Sequence, residues 1–140
     1  MKTILYLTAL LFLITNVSCT KNQDDTSQKN SINGKWSLRT INCFIAENNY
    51  NFPNGQITWT FNTSNSTVTI LNNSTVTNLN FPTGVYNFTI GQNSSDNGIP
   101  CSEYLTIEGG NFGCITIDNN QLSLTSSNPD GINYLLTSNY

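Results

Sequence analysis

The stretch Gly34-Lys35-Trp36-Ser37-Leu38 alternates apolar and polar residues, and Ile57-Thr58-Trp59-Thr60-Phe61 repeats that alternation further along the chain. Successive side chains of a β-strand point to opposite faces, so each stretch can bury one face and leave the other in water. Each apolar face carries one of the two tryptophans of the chain. The pattern therefore predicts half-buried β-strands.

The same alternation continues to the end of the chain, and no window has a helical period. Short connections rich in glycine, proline and asparagine separate the stretches, and Gly109-Gly110 is predicted to be a tight turn. These features favour an antiparallel up-and-down β-barrel of eight strands, whose last strand pairs with the first and leaves no open edge. A two-sheet β-sandwich is the alternative. The apolar residues of the six later strands are Val68 and Ile70; Tyr86, Phe88 and Ile90; Leu105 and Ile107; Ile115 and Ile117; Leu122 and Leu124; and Ile132, Tyr134 and Leu136.

The composition disfavours several classes of function. Residues 34–140 suffice for one small domain. The formal net charge is −3 with five basic residues, which is too few to follow a phosphate backbone, so no nucleic-acid partner is expected. Histidine is absent, which removes the usual general base near neutral pH and the commonest metal ligand. We expect no metal and no cofactor.

The carboxylates near predicted strand ends do not indicate catalysis. They are Glu103, Glu108, Asp118 and Asp130, and no spacing among them indicates a pair facing across a cleft, as a glycosidase needs. A catalytic cysteine would lack its histidine partner. The sequence therefore predicts a protein that is not an enzyme.

Residues 1–18 have the layout of an export signal. Lys2 supplies a positive charge, residues 4–14 form an apolar run too short to cross a bilayer comfortably, and Ser18 precedes Cys19. This layout resembles the lipobox of bacterial lipoproteins. The resemblance implies that Cys19 becomes the first mature residue and carries the lipid, palmitate included. An ordinary cleaved signal followed by a chance cysteine is the alternative.

Residues 19–33 are polar and bury too little apolar surface to offset the entropy of ordering them, so they are predicted to be a flexible tether. Lys21 with Asp24-Asp25 resembles the surface-export signals of Bacteroidetes lipoproteins. That resemblance implies attachment to the outer membrane through the lipid, with the periplasmic and cell-surface leaflets both left open.

The barrel domain itself resembles a known family. Gly34-x-Trp36 at the first strand is similar to the start of lipocalins. Together with residues 55–62, Gly84-Val85-Tyr86 and Asp130-Gly131, it resembles the short lipocalin-like domains of Bacteroidetes lipoproteins over nearly all of residues 34–140. Two lipocalin features are missing: residues 132–140 contain no arginine, and the chain has no room for a carboxyl-terminal helix. The resemblance implies a barrel that binds a small apolar ligand.

Large side chains are predicted to point into the barrel, and they have two interpretations. An eight-stranded barrel is just wide enough to be filled by its own side chains or to hold one small ligand. The same residues can therefore be simple core packing or the wall of an apolar pocket, with tyrosine hydroxyls as its polar groups. The candidates are Trp36, Trp59, Phe61, Tyr86, Phe88 and Tyr134.

Two functions from different classes follow. The first is a lipocalin-like protein that binds a small apolar ligand. The second is a non-catalytic interaction or enzyme-inhibitor module with a filled barrel, which meets another protein through long loops predicted at residues 46–55 and 91–100.

Three cysteines remain once Cys19 is assigned to lipid, and export would place them in an oxidising compartment. If strands alternate in direction, Cys43 and Cys114 lie at the same end of the barrel and Cys101 lies at the other. Folding the hairpin about Gly109-Gly110 offsets Cys101 from Cys114 by about four residues, or ~13 Å, which exceeds the ~7 Å limit for a disulfide. We expect a Cys43–Cys114 disulfide, with Cys43–Cys101 as the second choice.

Cys19→Ser is expected to abolish acylation, because the thiol is the only group that the lipoprotein pathway modifies at this position. Mass spectrometry of the mature wild type should find a diacylated cysteine at its amino terminus. A mature wild-type chain with an unmodified cysteine would contradict the lipoprotein assignment.

Overall fold

A computed structural model describes residues 31–43, 49–76, 81–96, 99–126, 128 and 130–138. The predicted signal peptide 1–18, the lipid attachment at Cys19 and most of the tether lie outside these residues. Within them, no helix is long and apolar enough to cross a lipid bilayer. The described residues form nine strands: β1 (Gly34–Cys43), β2 (Asn49–Asn51), β3 (Ile57–Asn62), β4 (Thr67–Asn72), β5 (Gly84–Asp96), β6 (Ile99–Ile107), β7 (Gly110–Asp118), β8 (Gln121–Thr125) and β9 (Ile132–Ser138).

Eight of these strands close into an antiparallel up-and-down barrel, as predicted, so the sandwich alternative is wrong. Neighbours in sequence pair from β3 to β9, and β1 pairs with β3 on one edge and with β9 on the other. Trp36 lies opposite Trp59 of β3 and Ser138 of β9, so the first and the last of the described strands are neighbours. All the inward faces therefore enclose a single core.

The additional strand, β2, was not predicted. It pairs with residues 40–42 of β1, on the same edge of β1 whose residues 34–37 pair with β3. The segment between β2 and β3 stays on β1 through two hydrogen bonds: Phe52 N donates to the Arg39 carbonyl oxygen at 2.8 Å, and Gly55 N donates to Ser37 Oγ at 2.7 Å. Part of the predicted 46–55 loop thus extends the barrel wall.

The predicted loop at 91–100 is also wrong, since most of it belongs to a long hairpin of β5 and β6. The pairing runs from Phe88 opposite Ile107 to Asp96 opposite Ile99. Gly91 lies opposite Tyr104, and a Cβ at Gly91 would overlap the Tyr104 ring. The glycine thus leaves room for an aromatic side chain to cover the strand.

The strands are staggered, as closure of a barrel requires. The first residues of β5 pair with β4, from Gly84 opposite Ile70 to Asn87 opposite Thr67, and the rest of β5 pairs with β6. Asn87 stands where β5 changes partner: its amide N donates to the Glu108 carboxylate at 2.7 Å, and Glu108 N donates to the Asn87 carbonyl oxygen at 3.0 Å. Glu108, one of the four carboxylates near predicted strand ends, therefore links the β6–β7 turn to β5.

The chain closes one end of the barrel before β1 begins. Ile32 lies within the predicted tether, yet it is only 4% exposed and its carbonyl oxygen accepts a 2.7 Å hydrogen bond from Trp36 Nε1. Asn33 Oδ1 accepts a hydrogen bond from Thr63 N in the β3–β4 turn at 3.1 Å. We refer to this end, with Ile32 and the β3–β4 turn, as the closed end.

The observed disulfide joins Cys101 to Cys114, so both predicted pairings with Cys43 are wrong. The Cα atoms of the pair are 5.6 Å apart, within the range that a disulfide requires. Among the described cysteines, the free thiol is that of Cys43, which is half-buried at the end of β1.

Two local features invalidate the register assumed for this hairpin. The turn residues are Glu108 and Gly109, with φ of 48° and 78°, because a two-residue hairpin favours positive φ at both positions. Phe112 is an extra residue in β7, which sets Cys114 opposite Tyr104. The β6–β7 pairing ends at Tyr104, so Cys101 is not held in the register of that ladder and can approach Cys114.

Replacing both Cys101 and Cys114 by serine is expected to lower the free energy of unfolding by about 3 kcal/mol, because the bond closes a loop of 13 residues in the unfolded chain. Denaturant unfolding checks the loss, and non-reducing peptide mapping checks the bond. Cys43→Ser is the control and should change stability by less than about 1 kcal/mol. A mapped Cys43–Cys114 peptide would contradict the observed pairing.

Candidate ligand site in the barrel interior

Trp59 lies at the centre of an aromatic cluster inside the barrel. Its ring centroid is 5.6 Å from that of Phe81, 5.8 Å from those of Phe112 and Tyr134, and 6.1 Å from that of Phe61. Most of these contacts are tilted or edge-to-face, the arrangements that aromatic quadrupoles favour. We refer to Trp59, Phe61, Phe81, Phe112 and Tyr134 as the ring cluster.

Five of the six predicted pocket residues are buried, namely Trp36, Trp59, Phe61, Phe88 and Tyr134. Phe88 contacts Phe61 with 5.3 Å between ring centroids, so it extends the cluster. Tyr86 is half-buried, and its hydroxyl donates to the Pro82 carbonyl oxygen at 2.7 Å. Trp36 lies opposite Trp59 on β1, and its indole N–H donates to the Ile32 carbonyl oxygen of the closed end.

The sequence pattern missed two rings, Phe81 and Phe112. Phe112 is out of phase with the inward residues Ile115 and Ile117, and it turns inward because it is the bulged residue of β7. Gly113 follows with φ of 102°, and a Cβ there would overlap the Thr125 carbonyl. A glycine after an out-of-phase aromatic residue was the available signal for the bulge.

Phe81 comes from the connection between β4 and β5, not from a strand. Its ring centroid lies 4.8 Å from that of Phe112 and 6.3 Å from that of Tyr86, and its side chain is half-buried. Asn72 Nδ2 donates to its carbonyl oxygen at 3.1 Å, which fixes the backbone there. Because β4 runs away from the closed end, Phe81 enters the barrel from the opposite end.

The indole N–H of Trp59 is buried and has no hydrogen-bond partner within the described part of the chain. The equivalent atom of Trp36 has one, the Ile32 carbonyl oxygen. The buried Ser138 hydroxyl is also without a partner among the described groups. A buried donor without an acceptor costs free energy, commonly about 1–3 kcal/mol.

Tyr134 supplies the other polar atom of the ring cluster. Burial raises the pKa of its phenol to about 12, and the nearby Cys43 thiolate adds to that rise. Both effects disfavour the phenolate, so the hydroxyl stays protonated and can donate a hydrogen bond.

The charged side chains lie outside the barrel, as far as the structure describes them. Arg39 is half-exposed, and the Glu108 carboxylate accepts the hydrogen bond from Asn87. No group of three metal-ligating side chains occurs within the described ranges. The exposed charged side chains are Lys35, Glu103, Glu108, Asp118 and Asp130.

A cavity of about 230 Å³ lies on the outer face of β1 and β3, lined by Lys35, Ser37, Gly55 and Thr58. The Gly55 amide N–H already donates a hydrogen bond to Ser37 Oγ. This cavity is separate from the barrel interior, because these strand residues alternate with the inward Trp36, Ile57 and Trp59.

Comparison of the chain with family models, with curated proteins and with solved structures found no match. The candidate site therefore depends on the geometry of the ring cluster alone.

Wild-type protein is expected to lose about 2–3 kcal/mol of unfolding free energy between pH 10 and 12 through Tyr134. The unfolded chain releases this proton near pH 10.0, while the folded chain keeps it until about 12, so the stabilisation is present below pH 10 and is lost above it. Denaturant unfolding across this range checks the loss. The near-ultraviolet absorbance of phenolate should rise in a late step near pH 12, when Tyr134 ionises.

Tyr134→Phe should remove both the late step and most of that loss. Tyr104→Phe is the matched control. It deletes the hydroxyl of the tyrosine whose ring covers Gly91, and the late step should remain. A late step that persists in Tyr134→Phe would contradict the assignment.

Proposed function

We propose that this chain is a lipid-anchored, extracytoplasmic, lipocalin-like protein that binds a small apolar ligand among the rings inside its barrel, and that it acts by binding and not by catalysis. The observation that carries the proposal is the position of Phe81. Its ring packs against Trp59 and Phe112, although it belongs to a connection and not to the barrel wall. A ligand of similar size can take the place of that ring.

Displacement of Phe81 needs little rearrangement. Rotation of its side chain moves the ring while the backbone keeps the hydrogen bond from Asn72 Nδ2. The remaining members of the ring cluster are held by strands β3, β7 and β9, which are paired on both edges. A wall of paired strands with one ring that comes from a connection supports binding of a ring-sized apolar molecule in place of that ring.

Sequence features that favour export support the cellular part of the proposal. The charged amino terminus, the apolar run and Ser18-Cys19 favour lipid attachment at Cys19. The Cys101–Cys114 disulfide is the kind of bond that persists in an oxidising compartment. The proposed location is the outer membrane, in the periplasmic or the cell-surface leaflet.

One observation favours the second candidate, an interaction or inhibitor module acting through its loops. Trp59 contacts four rings of the protein itself, so the interior already has occupants without a ligand. The long β5–β6 hairpin replaces one of the two loops that this candidate needed. A binding experiment separates the two functions.

Native mass spectrometry and tryptophan fluorescence titration with ring-sized apolar probes should show saturable binding. Phe81→Ala should bind the ring-sized probes about ten- to hundred-fold more tightly, because the ligand then fills vacated space at about 1.5–3 kcal/mol per buried ring. Phe52→Ala is the matched control: it removes a buried ring that stacks on Tyr50, outside the ring cluster, and should leave affinity unchanged. If neither the wild type nor Phe81→Ala binds any probe, the ligand-binding proposal is wrong and the loop-mediated function takes its place.

A further inference from the structure

We propose that the interior site selects an uncharged apolar ligand with a hydrogen-bond acceptor such as a carbonyl oxygen, and that Trp59 Nε1 donates the bond that identifies it. This inference deepens the proposed function and depends on it. It names the chemical class of the ligand, which neither the fold nor the resemblance to lipocalins specifies.

The contrast between the two tryptophans carries the argument. Both are buried, at 3% exposure for Trp36 and 1% for Trp59. The indole N–H of Trp36 donates to Ile32, whereas that of Trp59 has no acceptor among the described residues. Buried donors in folded proteins are nearly always paired, so an unpaired one inside a ring cluster marks a place where a ligand atom can accept its bond.

The surroundings of Trp59 select for a neutral acceptor. The charged side chains that the structure describes are exposed or half-exposed, so an anionic head group beside Trp59 would lose its water without gaining a counter-charge. The rings around it favour a flat or cyclic apolar body. A carboxylate such as that of a fatty acid fits this environment poorly.

Tyr134 supplies a second donor in the same cluster. Its ring centroid lies 5.8 Å from that of Trp59, and its phenol stays protonated at physiological pH. A carbonyl oxygen has two lone pairs, so it can accept from Trp59 Nε1 and still take a second hydrogen bond. An ether or a ketone therefore suits the site better than a hydrocarbon of the same shape.

Three probes of one shape test the inference: indane, 1-indanone and indane-2-carboxylate. They share a fused ring body and differ in carrying no acceptor, a neutral acceptor or an anion. Calorimetric titration of the wild type should rank 1-indanone about three- to ten-fold tighter than indane, as expected for one net hydrogen bond. The carboxylate should bind more weakly than either.

Trp59→Phe should remove the advantage of 1-indanone over indane, because the substitution keeps a ring and deletes the donor. The readout is the ratio of the two affinities within the same variant, so a common loss of apolar contact affects both probes alike. Trp36→Phe is the matched control, since its N–H is already engaged, and the advantage should persist. Thermal unfolding of each variant verifies that it is folded.

Nuclear magnetic resonance gives a second measurement that needs no variant to fold. The two tryptophans give two indole N–H resonances. Addition of 1-indanone should move the Trp59 resonance to lower field, and indane should move it much less. The inference is overturned if the carboxylate binds as tightly as the ketone, or if the Trp59 resonance responds equally to indane and 1-indanone. If no probe of any kind binds, the proposed function fails, and this inference fails with it.

Discussion

The rest of the structure depends on the pairing of β1 with strands on both of its edges. β3 and β2 occupy one edge and β9 occupies the other, so the sheet has no open side among its eight barrel strands. A register shift between Leu38 and Thr40 accompanies this closure and lets β1 bend around the core. Because the sheet is closed, the apolar faces of all eight barrel strands line the same interior.

Much of the fold could be predicted because its information is local. The period-two pattern around Trp36 and Trp59 indicates strands with one buried face, and its repetition along the chain favours a barrel. The candidate site was less predictable, because its decisive ring, Phe81, lies between strands and enters the core through a contact that no period encodes. Ile32 is a single apolar residue in a polar stretch, so its burial was not predicted either.

The errors around the disulfide have a different physical origin. An alternating pattern predicts the face on which a residue lies only while the strand contains no bulge. One inserted residue moves the side chains that follow it to the opposite face. Phe112 is such an insertion, so it turned inward against expectation and moved Cys114 to a new partner. Positive φ at Glu108 moved the turn as well, although glutamate is a poor signal for that conformation. After both shifts Cys101 still lies three residues before Tyr104, the partner of Cys114. The distance argument therefore failed because the β6–β7 pairing ends at Tyr104, which leaves Cys101 free of the ladder that the argument assumed.

The position of Ile32 has a consequence for how the protein would stand on a membrane. The hydrogen bond from Trp36 fastens residue 32 to the closed end, so the segment that leads back to Cys19 leaves the barrel there. With Cys19 in the lipid, the roughly 12 residues before the described chain reach at most about 40 Å. Because that reach exceeds the length of the ten-residue strand β1 at ~3.3 Å per residue, the tether would attach at the closed end without holding the barrel in one orientation. The end that Phe81 occupies would then be free to turn towards the solvent or towards the membrane surface.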